Sequence, residues 1–125
     1  MNLNQVTISS LDVEKSTLFY KKLGLRLIVD ALPRYVRFEC PTGDSTFSIH
    51  RVENLPDGQN ITLYFEVDRL SDTISSLKEK GVTFNTEILE QPWLWNEVYL
   101  NDPDGHTIVI YHAGKNRKNP PWRIN

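Results

Sequence analysis

Two stretches of this sequence follow one order of elements, strand, helix and three strands, and any fold must satisfy that order twice. In the first, Leu3 to Ser9 sets Val6 and Ile8 between polar Gln5, Thr7 and Ser9, the period of a half-buried strand. Asp12 offers a helix N-cap, Val13, Ser16, Phe19, Tyr20 and Leu23 recur at helical spacing, and Gly24 ends the helix. Three strand-like runs follow, Leu25 to Val29, Tyr35 to Cys40 and Thr46 to Val52, parted by Pro33 and by Pro41-Thr42-Gly43-Asp44. After the turn Pro56-Asp57-Gly58 the order restarts. Ile61, Leu63, Phe65 and Val67 alternate with Thr62, Tyr64 and Glu66, and a helix capped near Asp68 or Ser71 carries Ile74, Leu77 and Lys78 before Gly81 stops it. The runs Val82 to Leu89, Trp93 to Leu100 and His106 to His112 complete the second round, the last two joined by the tight turn Asn101-Asp102-Pro103-Asp104-Gly105. Setting Gly24 on Gly81 also sets Gln5 on Thr62 and Ile8 on Phe65, so the repeat is one of pattern rather than of identity.

This order predicts an α+β fold: two βαβββ modules, about 1–53 and 58–113, forming a curved mixed sheet that encloses a groove. Either module alone would leave one sheet face bare. With 125 residues the chain is long enough for one substantial core and too short for two independent domains. Residues 1–113 are therefore read as a single domain and 114–125 as a basic C-terminal arm. That arm carries Lys115, Arg117, Lys118 and Arg123, with Trp122 expected to anchor it on this subunit or on a mate.

A net charge of -2, with 24% of residues charged, gives no general attraction to phosphate backbones or anionic membranes, so neither nucleic acid nor membrane is an expected partner. No apolar run approaches the roughly 20 residues of a membrane helix. The start Met1-Asn2-Leu3-Asn4-Gln5 lacks the basic and apolar regions of a secretory signal, and the single Cys40 cannot form an internal disulfide. A cytoplasmic location is the expectation.

Taken together, Leu11-Asp12-Val13-Glu14-Lys15-Ser16 leading to Phe19-Tyr20 and Leu23-Gly24-Leu25, then Phe65-Glu66-Val67-Asp68, and above all Asp102-Pro103-Asp104-Gly105-His106, carry a family likeness. From Leu3 to about His112 the chain resembles the vicinal oxygen chelate superfamily, which includes glyoxalase I, bleomycin-resistance proteins and extradiol dioxygenases. The resemblance implies paired modules with the site on a concave sheet face, often one divalent metal, and frequent homodimers; a homodimer is expected here.

The resemblance also implies where metal ligands would stand: on the first strand of each module, on the last strand of the first, and on the last strand of the second after the Asp-Pro-Asp-Gly turn. Those positions fall on Gln5, on Ser48 or His50, on Thr62 and on Val109. Threonine is a poor ligand and valine is none, so the usual metal site is not expected, and no cofactor is. The alternative is a lyase, isomerase or dioxygenase of the same superfamily with a rearranged metal or acid-base site drawing on His50, Glu66 and Glu97.

Strand parity supplies the ligand-binding candidates. If Leu63, Phe65 and Val67 pack on helices, then Thr62, Tyr64 and Glu66 face the groove, with Trp95, Glu97 and Tyr99 before the turn and Thr107, Val109 and Tyr111 after it. With Gln5 and His50 these make an aromatic pocket with a few polar points, suited to a small molecule. The expected function is binding of a small aromatic or cationic compound in the manner of bleomycin-resistance proteins. His106, His112 and Cys40 are read as structural.

Overall fold

The computed structural model describes residues 1–58 and 61–124. Its contacts divide the chain into two compact units, Met1–Gly58 with Asp102–Asp104, and Gln59–Asn101 with Gly105–Asn125. Each unit is a four-stranded mixed sheet with one helix, so the fold is α+β and built of two βαβββ modules.

The first unit contains β1 (Gln5–Ser10), α1 (Val13–Lys22), β2 (Arg26–Ala31), β3 (Tyr35–Glu39) and β4 (Thr46–Arg51). Asp12 caps α1 by accepting the Lys15 amide at 3.1 Å, and Glu14 near the start and Lys21 and Lys22 near the end complement the helix dipole. Gly24 then takes φ +103°, the left-handed region that a residue with a Cβ enters at a cost. The sheet order is β1-β4-β3-β2, with β1 parallel to β4 and the other pairs antiparallel. One sheet face supplies Ile8, Val36, Phe38, Phe47 and Ile49 to the core, where α1 adds Val13 and Tyr20, all buried.

The second unit repeats this order with β5 (Thr62–Glu66), α2 (Leu70–Glu79), β6 (Leu89–Glu90), β7 (Asn96–Asn101) and β8 (Thr107–His112). Its sheet runs β5-β8-β7-β6, the same order, and Gly81 takes φ +88° where Gly24 stands in the first unit. Leu63, Val98, Leu100, Ile108 and Ile110 bury on one face, with Leu70, Ile74 and Leu77 of α2. The repeat read from the sequence extends to register, for Gln5 pairs with Thr46 in β1/β4 as Thr62 pairs with Thr107 in β5/β8.

Three details differ from expectation. The strand expected over Val82 to Leu89 is reduced to Leu89–Glu90, pairing with Glu97 and Asn96. Upstream, the Asn85 amide donates to the Tyr99 carbonyl at 2.8 Å, but the Tyr99 amide donates to the Thr86 hydroxyl rather than to a carbonyl, so a side chain replaces one rung of the ladder. Trp93 lies in a turn ahead of β7 instead of within the strand. The N-cap of α2 is Arg69, with no side-chain cap bond, rather than Asp68 or Ser71.

Candidate functional site

In each unit the sheet face turned away from the helix carries the candidate residues. In the first unit, cross-strand pairing places Gln5, Thr7 and Ser9 of β1, Thr46, Ser48 and His50 of β4, and Tyr35, Arg37 and Glu39 of β3 on that face. It is polar and tied together by side chains. Gln5 Nε2 donates to Ser48 Oγ at 2.8 Å, the Ser48 and Tyr35 hydroxyls share a bond of 2.7 Å, and Arg37 Nε donates to Tyr35 Oη at 3.0 Å. The Ser48 bond, with Arg37 beside it, holds the Tyr35 phenol below its ordinary value of 10 against the opposing effect of burial. His50 Nε2 lies 3.0 Å from Ser9 Oγ.

The matching face of the second unit is aromatic. Register places Thr62, Tyr64 and Glu66 of β5, Thr107, Val109 and Tyr111 of β8, and Glu97 and Tyr99 of β7 together, as strand parity predicted. Trp95, just ahead of β7, stacks on Tyr111 with ring centroids 4.8 Å apart and planes 21° apart. Tyr64 stands edge-on to both, at 6.0 Å from Trp95 and 5.6 Å from Tyr111, and remains 50% exposed. Trp95 and Tyr99 pack over Val109, Tyr111 and Ala113. The aromatic candidates are thus partly a satellite core, with Tyr64 as their open edge.

The two carboxylates on this face are engaged. Glu97, 1% exposed, accepts Gln91 Nε2 at 3.1 Å and Tyr99 Oη at 2.8 Å on one oxygen and Trp93 Nε1 at 3.0 Å on the other. The hydrogen bond to Glu97, then burial, pushes the Tyr99 phenol up to about 12. Glu66 accepts the amides of Ala113 and Gly114 at 2.7 and 2.9 Å and faces Arg117 at 3.6 Å. It therefore pins the start of the arm, where Gly114–Asn116 forms a 3-10 turn and the Asn116 carbonyl accepts Trp95 Nε1 at 3.2 Å. Trp122 stands 56% exposed. Burial, then Glu66, raises the Tyr111 phenol.

The internal repeat decides which residues are equivalent. Thr46 matches Thr107 in register, so Ser48 matches Val109 and His50 matches Tyr111. The four metal-ligand positions implied by the family are then Gln5, Ser48, Thr62 and Val109: one amide, two hydroxyls and a hydrocarbon, with no imidazole, thiolate or carboxylate. That donor set does not fit a divalent ion. Of the candidates for a rearranged site, His50 lies on the sheet of the first unit and Glu66 and Glu97 on that of the second. A separate depression of about 590 Å³, lined by Lys78 and residues 81–87, contains none of the candidates.

Sequence reasoning passed over Tyr35, Arg37 and Gln91, and placed Trp93 in a strand rather than against Glu97. The first two were legible in principle, since β3 and β4 alternate in phase and a polar Ser48 calls for polar neighbours opposite. Gln91 and Trp93 reach Glu97 from a turn, where no periodicity reports direction.

This architecture is that of the glyoxalase and bleomycin-resistance fold. A glyoxalase/bleomycin resistance protein/dioxygenase from Nocardioides superposes with a TM-score of 0.77 at 19% identity, over 100% of this chain and 90% of that one. Lactoylglutathione lyase from Agrobacterium tumefaciens gives 0.73 at 15% identity, covering 89% and 92%, and the bleomycin resistance determinant encoded on transposon Tn5 gives 0.73 at 17%, covering 90% and 98%. At these identities the likeness is one of fold. No curated protein matches the sequence. The model of the glyoxalase-like domain matches residues 3–113, and the chain belongs to that family, within the vicinal oxygen chelate superfamily.

Proposed function

We propose that the protein binds a small planar molecule on the aromatic face of its second unit, without a metal ion. The observation that carries this reading is the cluster of Tyr64, Trp95 and Tyr111, in which two rings stack and Tyr64 keeps half its surface open. Such an edge offers a flat ligand both dispersion contact and a ring face, and a cationic ligand adds ring-face attraction. The donor chemistry of Gln5, Ser48, Thr62 and Val109 supports binding that does not run through a metal. The engaged states of Glu66 and Glu97 support binding over proton transfer, because their oxygens already accept two or three donors from the protein itself.

The test is a fluorescence titration of the full chain with neutral and cationic planar heteroaromatics, repeated after treatment with a chelator. Saturable binding that survives the chelator and weakens roughly three- to tenfold in Tyr64→Ala is expected, the size of one aromatic contact. Binding that vanishes with the chelator, or that Tyr64→Ala leaves unchanged, defeats the reading. No helix among the described residues is long and apolar enough to cross a membrane.

A further inference from the structure

On the polar face of the first unit, one hydroxyl donor has no acceptor among the described residues. Tyr35 and Ser48 carry two hydroxyl protons between them, and their mutual bond uses one. Each neighbouring acceptor already receives a donor: Tyr35 Oη receives Arg37 Nε, Ser48 Oγ receives Gln5 Nε2, and Gln5 Oε1 receives the Thr46 hydroxyl. Among the described residues, the second hydroxyl proton of the pair has no acceptor. Arg37 is held through Nε, with its Cζ 5.6 Å from the Tyr35 ring centroid, so among the described residues both Nη groups lack a partner.

The charges point the same way. Arg26 and Glu39 oppose each other on this face at 3.7 Å, and the cross-strand neighbours of Arg37 are the uncharged Val29 and Ser48. Among the described residues Arg37 thus has no carboxylate partner, on a chain of net charge -2. Ser48, fully buried, gives the hydroxyl pair a fixed base, while Arg37 is exposed and open to a ligand. A guanidinium with two free Nη groups presents the planar fork that matches a carboxylate.

We propose that this face is a carboxylate-binding subsite, in which Arg37 grips both oxygens of a small-molecule carboxylate and the spare proton of the Tyr35–Ser48 pair donates to one of them. The subsite stands on the first unit alone and does not depend on the aromatic reading of the second.

Titration of the isotopically labelled full chain with acetate, followed by NMR, tests it, with inorganic phosphate and methylammonium as comparison ions. Acetate should produce saturable shifts centred on Tyr35, Arg37 and Ser48. Arg37→Met should weaken the response roughly tenfold, and Arg37→Lys, which keeps the charge and loses the fork, by an intermediate factor. Lys22→Met, a surface cation on α1, should leave it unchanged. Shifts spread evenly over surface lysines and arginines, an unaltered response in a folded Arg37→Met protein, or tighter binding of phosphate than of acetate would overturn the assignment. A response to methylammonium at the same residues would overturn it as well.

Discussion

Tyr20 donates its hydroxyl to Asp102 Oδ2 across 2.6 Å, and both residues lie in the core of the first unit, 0% and 5% exposed. This contact explains the Asp-Pro-Asp-Gly turn better than its hairpin geometry does. Asp102 Oδ1 accepts the Asp104 amide at 3.0 Å, and Asp104 accepts the Leu11 amide and the Ser16 hydroxyl, each at 2.9 Å. The turn thereby secures the N-terminal end of α1, while the Tyr20 ring packs between Phe38 and Phe47 at centroid distances of 6.3 and 4.7 Å. Burial first, and then the Asp102 charge, holds the Tyr20 phenol far above its ordinary range.

Tyr20→Phe keeps the ring contacts and removes one donor from a buried carboxylate. It should cost about 1–3 kcal/mol, read as a lower urea midpoint with an unchanged slope. Asp102→Asn should cost less, and the double variant less than the sum of the two, because the partners share one bond. Strict additivity would show that the pair is not energetically coupled.

Glu97 should behave as a structural carboxylate. Glu97→Gln retains the shape but turns an acceptor-only group into one with donors, which conflict with Gln91, Trp93 and Tyr99. A loss of about 1–3 kcal/mol is expected. Tyr99 should then titrate closer to 10, since its value of about 12 comes first from the Glu97 bond. The sign follows from linkage: a folded-state pKa raised above the unfolded one gives stability that is complete below pH about 10 and lost as pH rises toward 12. Absorbance at alkaline pH, compared between the two proteins, checks both statements, and an unmoved Tyr99 transition would refute the assigned cause.

Glu66 should govern the arm rather than the fold. Its carboxylate joins the Ala113 and Gly114 amides to the Arg117 guanidinium, so Glu66→Ala removes the tie at which residues 114–124 leave the sheet. Limited trypsin digestion should cut sooner at Lys115, Arg117 and Lys118 in the variant, with the core of the second unit still protected. Equal cleavage rates would show that the Trp95 bond to Asn116, or another contact, holds the arm by itself.

The fold was legible because its evidence is periodic. Strand parity put Thr62, Tyr64 and Glu66 on one face and Leu63 in the core, and the glycine match of Gly24 with Gly81 carried the repeat down to strand register. The sites were legible only as far as parity reaches. It placed Tyr64, Trp95 and Tyr111 on one face but gave no sign that Trp95 would stack on Tyr111 instead of standing open. It offered Glu66 and Glu97 as ligand and acid-base candidates without showing that backbone amides and turn residues engage them. Such partners come from loops, whose directions follow from packing. Val82 to Ile88 failed as a strand for a related reason, the Thr86 side chain standing where a carbonyl would extend the ladder.

Tyr35 offers a test of the polar face that needs no ligand. Its phenol lies below 10 chiefly because Ser48 donates to the phenolate, burial opposing and Arg37 assisting. Ser48→Ala should therefore return it upward, and Arg37→Met should do so by a smaller step. The charged or titratable groups sharing the face are Arg37 and Glu39 on β3, His50 on β4 and Arg26 on β2, with none on β1. Spectrophotometric titration with Tyr35→Phe subtracted isolates the transition, since Tyr20, Tyr99 and Tyr111 are all displaced the other way. A depressed folded-state pKa gives stability that develops as pH rises through that value, is complete above about 10, and is lost as pH falls back through it. A carboxylate held by Arg37 places a like charge beside the phenolate, so acetate should raise the Tyr35 pKa, and by reciprocity bind more weakly once Tyr35 ionises. A Tyr35 transition that ignores both Ser48→Ala and acetate would separate this phenol from the hydroxyl network and remove the second donor from the subsite.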